Sequence, residues 1–84
     1  MNPYVKTVAP LPEYRLLLGF ENGEERLFDL GPYLDKGVFV RLQNPSVFKL
    51  AKVVAGSVEW PGEIDLSYDT LYIGSHAMQG TEAA

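Results

Sequence analysis

The clearest pattern of hydrophobic and polar positions lies in the first third of the chain, around Glu21-Asn22-Gly23. Residues 14–20 and 24–30, on either side of it, are rich in leucine and aromatic side chains. Two apolar runs separated by a short Asn-Gly segment are typical of a β-hairpin. We predict two antiparallel strands here. A first strand over residues 4–9 precedes them and ends where two closely spaced prolines stop the hydrogen-bond ladder.

The register of this hairpin depends on the length of its loop. A two-residue turn at Asn22-Gly23 places Leu16 opposite Asp29, whereas a three-residue loop with Gly23 in a left-handed bulge places Leu16 opposite Phe28. The three-residue loop gathers apolar side chains on one face and pairs opposite charges on the other. Favourable cross-strand pairs contribute roughly 0.2–1 kcal/mol each, and like charges cost similar amounts. We therefore predict the three-residue loop.

Apolar residues occur on both faces of this predicted hairpin. Leu17 and Leu27 alternate with Leu16 and Phe28, so they lie on the opposite face. A one-layer sheet that is apolar on both faces leaves one of them to be covered. This argues for self-association or for a protein partner, and it places Leu17 and Leu27 in a candidate interaction surface.

The middle of the chain predicts short helices. Pro32 suits the first position of a helical turn that Gly37 could end. Residues 37–42 are compatible with a short strand or with an irregular packed segment. Asn44 and Pro45 predict a short helix with Asn44 as its N-cap. Its predicted apolar anchors are Val47, Phe48 and Leu50.

Residues 52–60 are compatible either with a tight hairpin that turns near Gly56 or with one bulged strand. A turn follows at Pro61-Gly62. About one helical turn closes the domain, with Ser67 as its N-cap and Asp69 in its first turn.

These elements predict a single α+β domain over residues 1–73. We expect a small antiparallel meander sheet with short helices packed on one face. Residues 74–84 are small and polar, and we predict a flexible C-terminal tail there. The length of 84 residues allows one domain.

Composition and charge exclude several classes of function. The chain has no cysteine, which excludes disulfides and thiolate metal sites and favours a reducing, cytoplasmic location. Seven basic and eleven acidic residues give a net charge of −4, which disfavours direct binding to nucleic acid phosphates. The start of the chain lacks the pattern of a signal peptide. The longest apolar run, residues 16–20, is far shorter than the roughly 20 residues that cross a membrane.

Candidate chemistry is sparse. His76 is the only histidine, so we predict no metal site, no cofactor and no nucleophilic triad. The carboxylates cluster near the end of the chain, at Glu59, Glu63, Asp65 and Asp69. They could form an acid–base pair or a cation site. Alternatively, Asp65 and Asp69 bond backbone N–H groups around the last turn, which is the interpretation we favour. We therefore predict no enzymatic activity.

Three aromatic residues complete the candidate interaction surface. Trp60, Tyr68 and Tyr72 could pack in the core or anchor an interface, where Trp and Tyr are enriched. For Trp60 the core is favoured, since a small domain needs large side chains inside. The full candidate surface is Leu17, Leu27, Trp60, Asp65, Tyr68 and Tyr72.

The run from Val58 to Tyr72 contains Trp60-Pro61-Gly62 and then Asp65-Leu66-Ser67-Tyr68-Asp69-Thr70-Leu71-Tyr72. It resembles the closing motif of a small bacterial family known as domain of unknown function 2442. Residues 20–29 resemble the first hairpin of that family and residues 44–48 its middle element. The resemblance covers about residues 5–72. Tyr68 stands where the family pattern has proline, so we expect a less preorganised turn there.

The resemblance implies a small α+β fold of meandering strands with no established enzymatic activity. Some longer relatives carry a helix-turn-helix, and some are encoded beside small proteins in pairs that resemble toxin–antitoxin systems. We therefore expect a non-enzymatic interaction or regulatory module, the antitoxin-like half of such a pair without a DNA-reading part. The alternative is a small-ligand binder or enzyme that uses the acidic and aromatic cluster from Trp60 to Asp69.

Overall fold

A computed structural model describes residues 1–78 of the chain. The strands are β1 (Val5–Leu11), β2 (Arg15–Phe20), β3 (Glu25–Asp29), β4 (Lys52–Val54), β5 (Ser57–Trp60), β6 (Ile64–Leu66) and β7 (His76–Ala77). The helices are a first 3₁₀ helix (Gly31–Tyr33), a second 3₁₀ helix (Gly37–Gln43), α1 (Pro45–Phe48) and α2 (Tyr68–Gly74). The predicted α+β class is confirmed.

The strands form two antiparallel sheets, so the expectation of a single sheet is wrong. The first sheet has the order β1-β2-β3-β7, and the second has the order β4-β5-β6. The segment between β3 and β4 is helical, and it separates the two meanders along the chain. At their junction, the backbone N–H of Val5 donates to the carbonyl of Gly56 at 2.9 Å.

The first hairpin has the predicted three-residue loop. Leu16 lies opposite Phe28, and Arg15 lies opposite Asp29. Gly23 is left-handed, with φ of +92°, and the N–H of Phe20 donates to the carbonyl of Glu24. Apolar side chains therefore share one face, as the cross-strand argument requires.

Strand β1 continues further than its prolines suggest. It includes Pro10, which pairs with Leu16, and it ends at Leu11. The prediction of a strand that stops at residue 9 is therefore wrong. Proline is tolerated here because β1 is at the edge of the sheet, where the missing N–H interrupts no ladder.

Two of the predicted helix starts are confirmed. Pro32 lies in the first turn of the first 3₁₀ helix. The Asn44 side chain caps α1 by accepting a hydrogen bond from the N–H of Ser46 at 2.9 Å. Phe48 is buried as predicted, but Leu50 is 50% exposed and is not an anchor of the core.

The segment that begins at Gly37 is neither a short strand nor an irregular packed segment, the two structures that the sequence allowed. Gly37–Gln43 is a 3₁₀ helix whose buried residue is Leu42. One buried side chain in seven residues gives no alternation, which is why the pattern was ambiguous.

Residues 52–60 form a hairpin rather than one bulged strand. Val53 pairs with Val58, and the turn consists of Ala55 and Gly56, both at positive φ. This combination is typical of a type I′ turn. Gly56 also lies close to another part of the chain, because an added Cβ would approach the Cβ of Tyr4 to 2.9 Å.

The end of the domain is longer than predicted. The Ser67 side chain accepts a hydrogen bond from Thr70 N–H at 3.3 Å, which confirms the N-cap. Helix α2 then continues for two turns, to Gly74. The following residues His76 and Ala77 pair with β3 as β7, so the assignment of residues 74–78 to a tail is wrong. The remainder of the predicted tail, residues 79–84, lies outside the described residues.

The inner faces of both sheets meet in one core. Its fully buried side chains come from the first sheet, the second sheet, the helices and the connections. They include Leu16, Leu18, Phe28, Leu30, Leu42, Val58, Ile64 and Leu71. Within residues 1–78, no helix has the length and apolar character needed to cross a membrane.

Candidate interaction surface

The outer face of the first sheet carries an apolar row across its centre. Strand pairing brings Ala9, Leu17, Leu27 and His76 side by side, one from each of the four strands. We call these four residues the leucine row. Leu17 and Leu27 are partly open to solvent and do not pack against the core, while Ala9 and His76 are exposed at the two ends.

A charged pair lies next to the leucine row. Arg15 and Asp29 are opposite each other on β2 and β3, two residues along from Leu17 and Leu27. They do not form an ion pair. Arg15 Nε donates to the carbonyl of Pro12 at 3.3 Å, and Asp29 Oδ1 accepts from Gly31 N–H at 2.9 Å. Within residues 1–78, the two terminal nitrogens of Arg15 and Oδ2 of Asp29 have no partner.

On the other side of the leucine row, Thr7, Gly19 and Glu25 are neighbours. The Thr7 hydroxyl lies over Gly19, in the space that a Cβ at this position would need. We call the leucine row with these two flanking sets the first-sheet face. Polar groups therefore border its apolar centre on both sides.

The second sheet has a different outer face. Lys52, Glu59 and Asp65 are neighbours across β4, β5 and β6, and we call them the charged row. No ion pair joins them within the described part of the chain. All three are at least partly exposed, so this face is solvated in the usual way for one side of an antiparallel sheet.

The structure divides the six residues of the predicted surface among three places. Leu17 and Leu27 are together on the first-sheet face. Trp60 is only 2% exposed, and its Nε1 donates to the carbonyl of Phe48 at 2.9 Å, so it belongs to the core. Asp65 is on the charged row. The two tyrosines are on α2, and both are partly buried.

Each of these tyrosines packs on a ring from the first part of the chain. Tyr68 meets Tyr4 edge-on, with ring centroids 4.6 Å apart, and Tyr72 meets Phe20 in the same way at 5.1 Å. The nearby negative charge of Asp69, together with burial, raises the pKa of Tyr68. The Tyr72 ring holds α2 against the end of β2, and the Tyr68 ring holds it against the segment that precedes β1.

A polar cluster that the sequence did not indicate surrounds Tyr72. Its hydroxyl donates to Glu24 Oε2 at 2.7 Å, and Glu24 Oε1 accepts from Arg26 at 2.9 Å. Arg26 also donates to the hydroxyl and carbonyl of Ser75, and its guanidinium lies 4.4 Å from the centre of the Tyr72 ring. The bonds from Tyr72 to Glu24 and from Arg26 to Ser75 join residues 48 and 49 positions apart, and no local pattern indicates them.

The cluster is saturated with internal hydrogen bonds. The bond from Tyr72, followed by those from Arg26 and Asn22, lowers the pKa of Glu24. The same bond to Glu24, together with burial, raises the pKa of Tyr72. The Ser75 hydroxyl donates to the carbonyl of Tyr72 at 2.9 Å. Since each group is already bonded, the cluster serves to fasten α2 to the first hairpin.

The carboxylates near the end of the chain do not act as predicted. Asp69 accepts a hydrogen bond from the Asn2 side chain at 2.9 Å, and Asp65 has no hydrogen-bond partner within residues 1–78. The prediction that both bond backbone N–H groups is therefore wrong, and Ser67 alone caps the helix. Among the described residues, no three acidic, histidine or cysteine side chains are grouped as metal ligands are.

One open cavity of about 460 Å³ lies beside the charged row. It is lined by Leu50, Lys52, Glu59, Trp60 and Pro61. Close to it, Arg41 donates to the carbonyl of Gly62 at 3.4 Å. The cavity combines an apolar wall with one carboxylate and one ammonium group.

The sequence indicated only part of the first-sheet face. Leu17 and Leu27 follow from the hairpin register, and the same register places Arg15 and Asp29 beside them. Ala9 and His76 were not included in the predicted surface. His76 reaches this face only because α2 returns the chain to β3, and a two-residue strand has no pattern of its own.

These features define a class: a small α+β domain of two antiparallel meanders with an apolar row on one outer sheet face. The chain belongs to a family described as a protein of unknown function (DUF2442), whose model matches residues 5–77. This confirms the resemblance seen in the sequence motifs and extends it through β7. Neither the comparison with curated proteins nor the comparison with solved structures gives a match.

Proposed function

We propose that the chain is a non-enzymatic protein-interaction module that works through the first-sheet face. The observation that supports this is the Leu17–Leu27 pair, which lies at the centre of a four-stranded sheet and does not pack against the core. Contiguous apolar surface with a polar border is typical of protein contacts. Covering the two leucines would remove apolar area from water, which stabilises a complex.

The proposal includes a regulatory role in the cytoplasm. The expected function is that of the partner-binding, antitoxin-like half of a small two-protein system. The absence of cysteine supports a reducing location. The acidic net charge of −4 supports a protein partner over nucleic acid.

Site-directed photo-crosslinking in cells tests this function. A benzophenone amino acid replaces Leu17 in one chain and Glu59, on the charged row, in the matched control. We expect a discrete crosslinked protein product from position 17 and none from position 59. Adding Leu27→Lys to the position 17 chain should abolish the product, since a charge then lies in the apolar centre. No product from position 17, or equal products from both positions, would refute the proposal.

The cavity beside Trp60 supports a second candidate, a small-ligand binder or enzyme. It is lined by Trp60 and Glu59, and Asp65 is paired with Glu59 across the strands. Lys52 also lines the cavity, but Glu59 and the neighbouring Asp65 outnumber it, so the local charge is negative and suits a ligand with an apolar body and a positive charge.

Trp60 is the only tryptophan, so its fluorescence reports on this cavity. Titration with non-indole aromatic amines such as benzylamine or phenethylamine should give a saturable change that Glu59→Gln abolishes. A linear response, or one unchanged in Glu59→Gln, argues against this candidate.

A further inference from the structure

We infer that the partner of the first-sheet face is a second copy of the same chain, in a dimer whose two-fold axis runs parallel to the strands between β2 and β3. This inference rests on the proposed function, because it names the partner of the same surface. It follows from the positions of the side chains on that face.

The two-fold operation brings unlike strands together. Rotation about such an axis places β2 of one copy over β3 of the other and β1 over β7, while the position along the strand does not change. Leu17 then faces the second copy's Leu27, and Leu27 faces the second copy's Leu17. A patch that matches itself in this way is what a symmetric dimer requires.

The charges match under the same operation. Arg15 of each copy faces Asp29 of the other, so two ion pairs form side by side next to the leucines. Within one chain these groups are opposite each other but not paired, and the terminal nitrogens of Arg15 have no partner among residues 1–78. A two-fold axis that runs along the leucine row, across the strands, is the other possible arrangement. It would place Glu25 over the second copy's Asp29, and these two like charges repel each other. Charge therefore selects one of the two arrangements.

The edges of the first sheet are less suited to pairing. The long edge strand β1 contains Pro10, which has no N–H, and the N–H of Val5 already donates to Gly56. The other edge, β7, has only two residues. Face-to-face packing of aligned sheets, at about 30° between strand directions, is a common arrangement of antiparallel sheets.

The size of the face sets the expected strength. Four strands about 4.8 Å apart and five residues at about 3.3 Å each give a footprint of roughly 300 Å². A standard interface buries about 800 Å² on each partner. We therefore expect a weak, reversible dimer rather than an obligate one.

Sedimentation velocity of the full chain, from about 5 to about 500 μM, tests the dimer across this range. Arg15→Asp produces two like-charge contacts and should weaken dimerisation at least ten-fold, and so should Asp29→Arg. A mixture of these two variants should form a heterodimer of near wild-type strength, because all charges are complementary again. Lys36→Asp makes the same charge change at a side chain that is 69% exposed and should leave dimerisation unchanged.

Circular dichroism of each variant shows that it is folded, and the mixing experiment keeps the test valid if Asp29→Arg loses stability with its bond to Gly31. A wild-type chain that stays monomeric throughout, or a mixture no stronger than the single variants, would overturn the dimer. In that case a position 17 crosslink to a different protein would still support the interaction module. If neither a dimer nor a position 17 crosslink is found, the dimer and the interaction module are both refuted.

Discussion

The two sheets of this domain share one core but differ in their outer faces. Both are antiparallel meanders whose inner side chains, such as Phe28 in the first and Trp60 in the second, are buried together. In the second sheet the row that crosses all three strands on the outer face is the charged row. In the first sheet the outer centre is the leucine row. The outer face of the second sheet is therefore mainly polar, whereas the first sheet leaves two leucines partly open to solvent at the centre of its outer face.

The largest loss of stability is expected when a buried side chain on the inner face of either sheet is truncated, and we expect it to be similar for the two sheets. Phe28→Ala and Trp60→Ala each remove a large buried side chain and should lower the free energy of unfolding by about 3–5 kcal/mol. Trp60→Ala also leaves the Phe48 carbonyl without its donor. Urea denaturation at low micromolar concentration measures both.

Leu27→Ala is the matched control for this experiment, since Leu27 precedes Phe28 on the same strand but lies on the outer face. At a concentration where the chain is monomeric, it should cost about 1 kcal/mol or less, because its side chain is already partly solvated. A loss equal to that of Phe28→Ala would mean that the leucine row is part of the monomer's own core and that the outer faces of the two sheets do not differ in this way.

The next largest effect is a difference in stability cost between glycine substitutions in the turns of the first and second hairpins. Gly23 and Gly56 both have positive φ, at +92° and +81°, so alanine is strained at either position. An alanine Cβ at Gly23 meets nothing within 4 Å, whereas at Gly56 it would approach Tyr4 to 2.9 Å. We expect Gly23→Ala to cost about 1 kcal/mol and Gly56→Ala about 2–3 kcal/mol, because Tyr4 must also move.

Thermal unfolding of the two glycine variants checks this difference. Tyr4→Ala in the Gly56→Ala background should recover the part of the loss that comes from the clash, while the same change in the Gly23→Ala background should recover nothing. Equal costs at the two glycines would show that the junction between the sheets does not depend on contact with the second hairpin turn.

A smaller effect concerns pH and belongs to the first sheet. Hydrogen bonds from Tyr72, then Arg26 and Asn22, lower the pKa of Glu24 below its ordinary value of 4.5. The ionised carboxylate therefore contributes stability above pH 4.5, and this contribution is lost as the pH falls through the folded-state pKa. We expect the stability difference between wild type and Tyr72→Phe to be full at neutral pH and to shrink in acid.

At alkaline pH the contribution of the same hydrogen bond to stability is lost as the pH rises, not as it falls. Glu24 raises the pKa of Tyr72 above its ordinary value of 10, so the protonated tyrosine contributes stability below pH 10 that is lost as the pH rises through the folded-state pKa. Urea denaturation as a function of pH measures both limits. Tyr68→Phe is the control in acid, since Tyr68 does not contact Glu24, and a pH-independent difference for Tyr72→Phe would contradict the hydrogen bond.

The difference between the sheets also explains what the sequence could predict. In the first hairpin, charges and apolar residues agree on a single register, so the loop and the position of Leu17 and Leu27 were both predicted correctly. In the second hairpin, apolar residues continue through Val53 and Val54 without alternation, which left a hairpin and a bulged strand as alternatives.

Long-range contacts account for most of the rest. Strand β7 exists because α2 brings residues 76 and 77 back to β3, and the bonds from Arg26 to Ser75 and from Tyr72 to Glu24 depend on the same return. The buried position of Trp60 was favoured from the sequence, but its hydrogen bond to the carbonyl of Phe48, 12 residues earlier, was not predicted. None of these pairs has a local signal, since propensity and periodicity describe neighbours along the chain.

The smallest effect is expected on the charged row. Asp65 lies opposite Glu59 on an exposed edge strand and has no hydrogen-bond partner within residues 1–78. Like charges opposite each other are destabilising, so Asp65→Asn should raise the free energy of unfolding by about 0.2–0.5 kcal/mol, and added salt should reduce the gain. Asp69→Asn is the matched control and should not stabilise, because Asp69 accepts a hydrogen bond from Asn2 and lies in the first turn of α2. Urea denaturation at low and high salt measures both variants. If Asp65→Asn instead lowers the stability by more than about 1 kcal/mol, Asp65 holds a structural bond, and the second outer face is not simply a solvated surface.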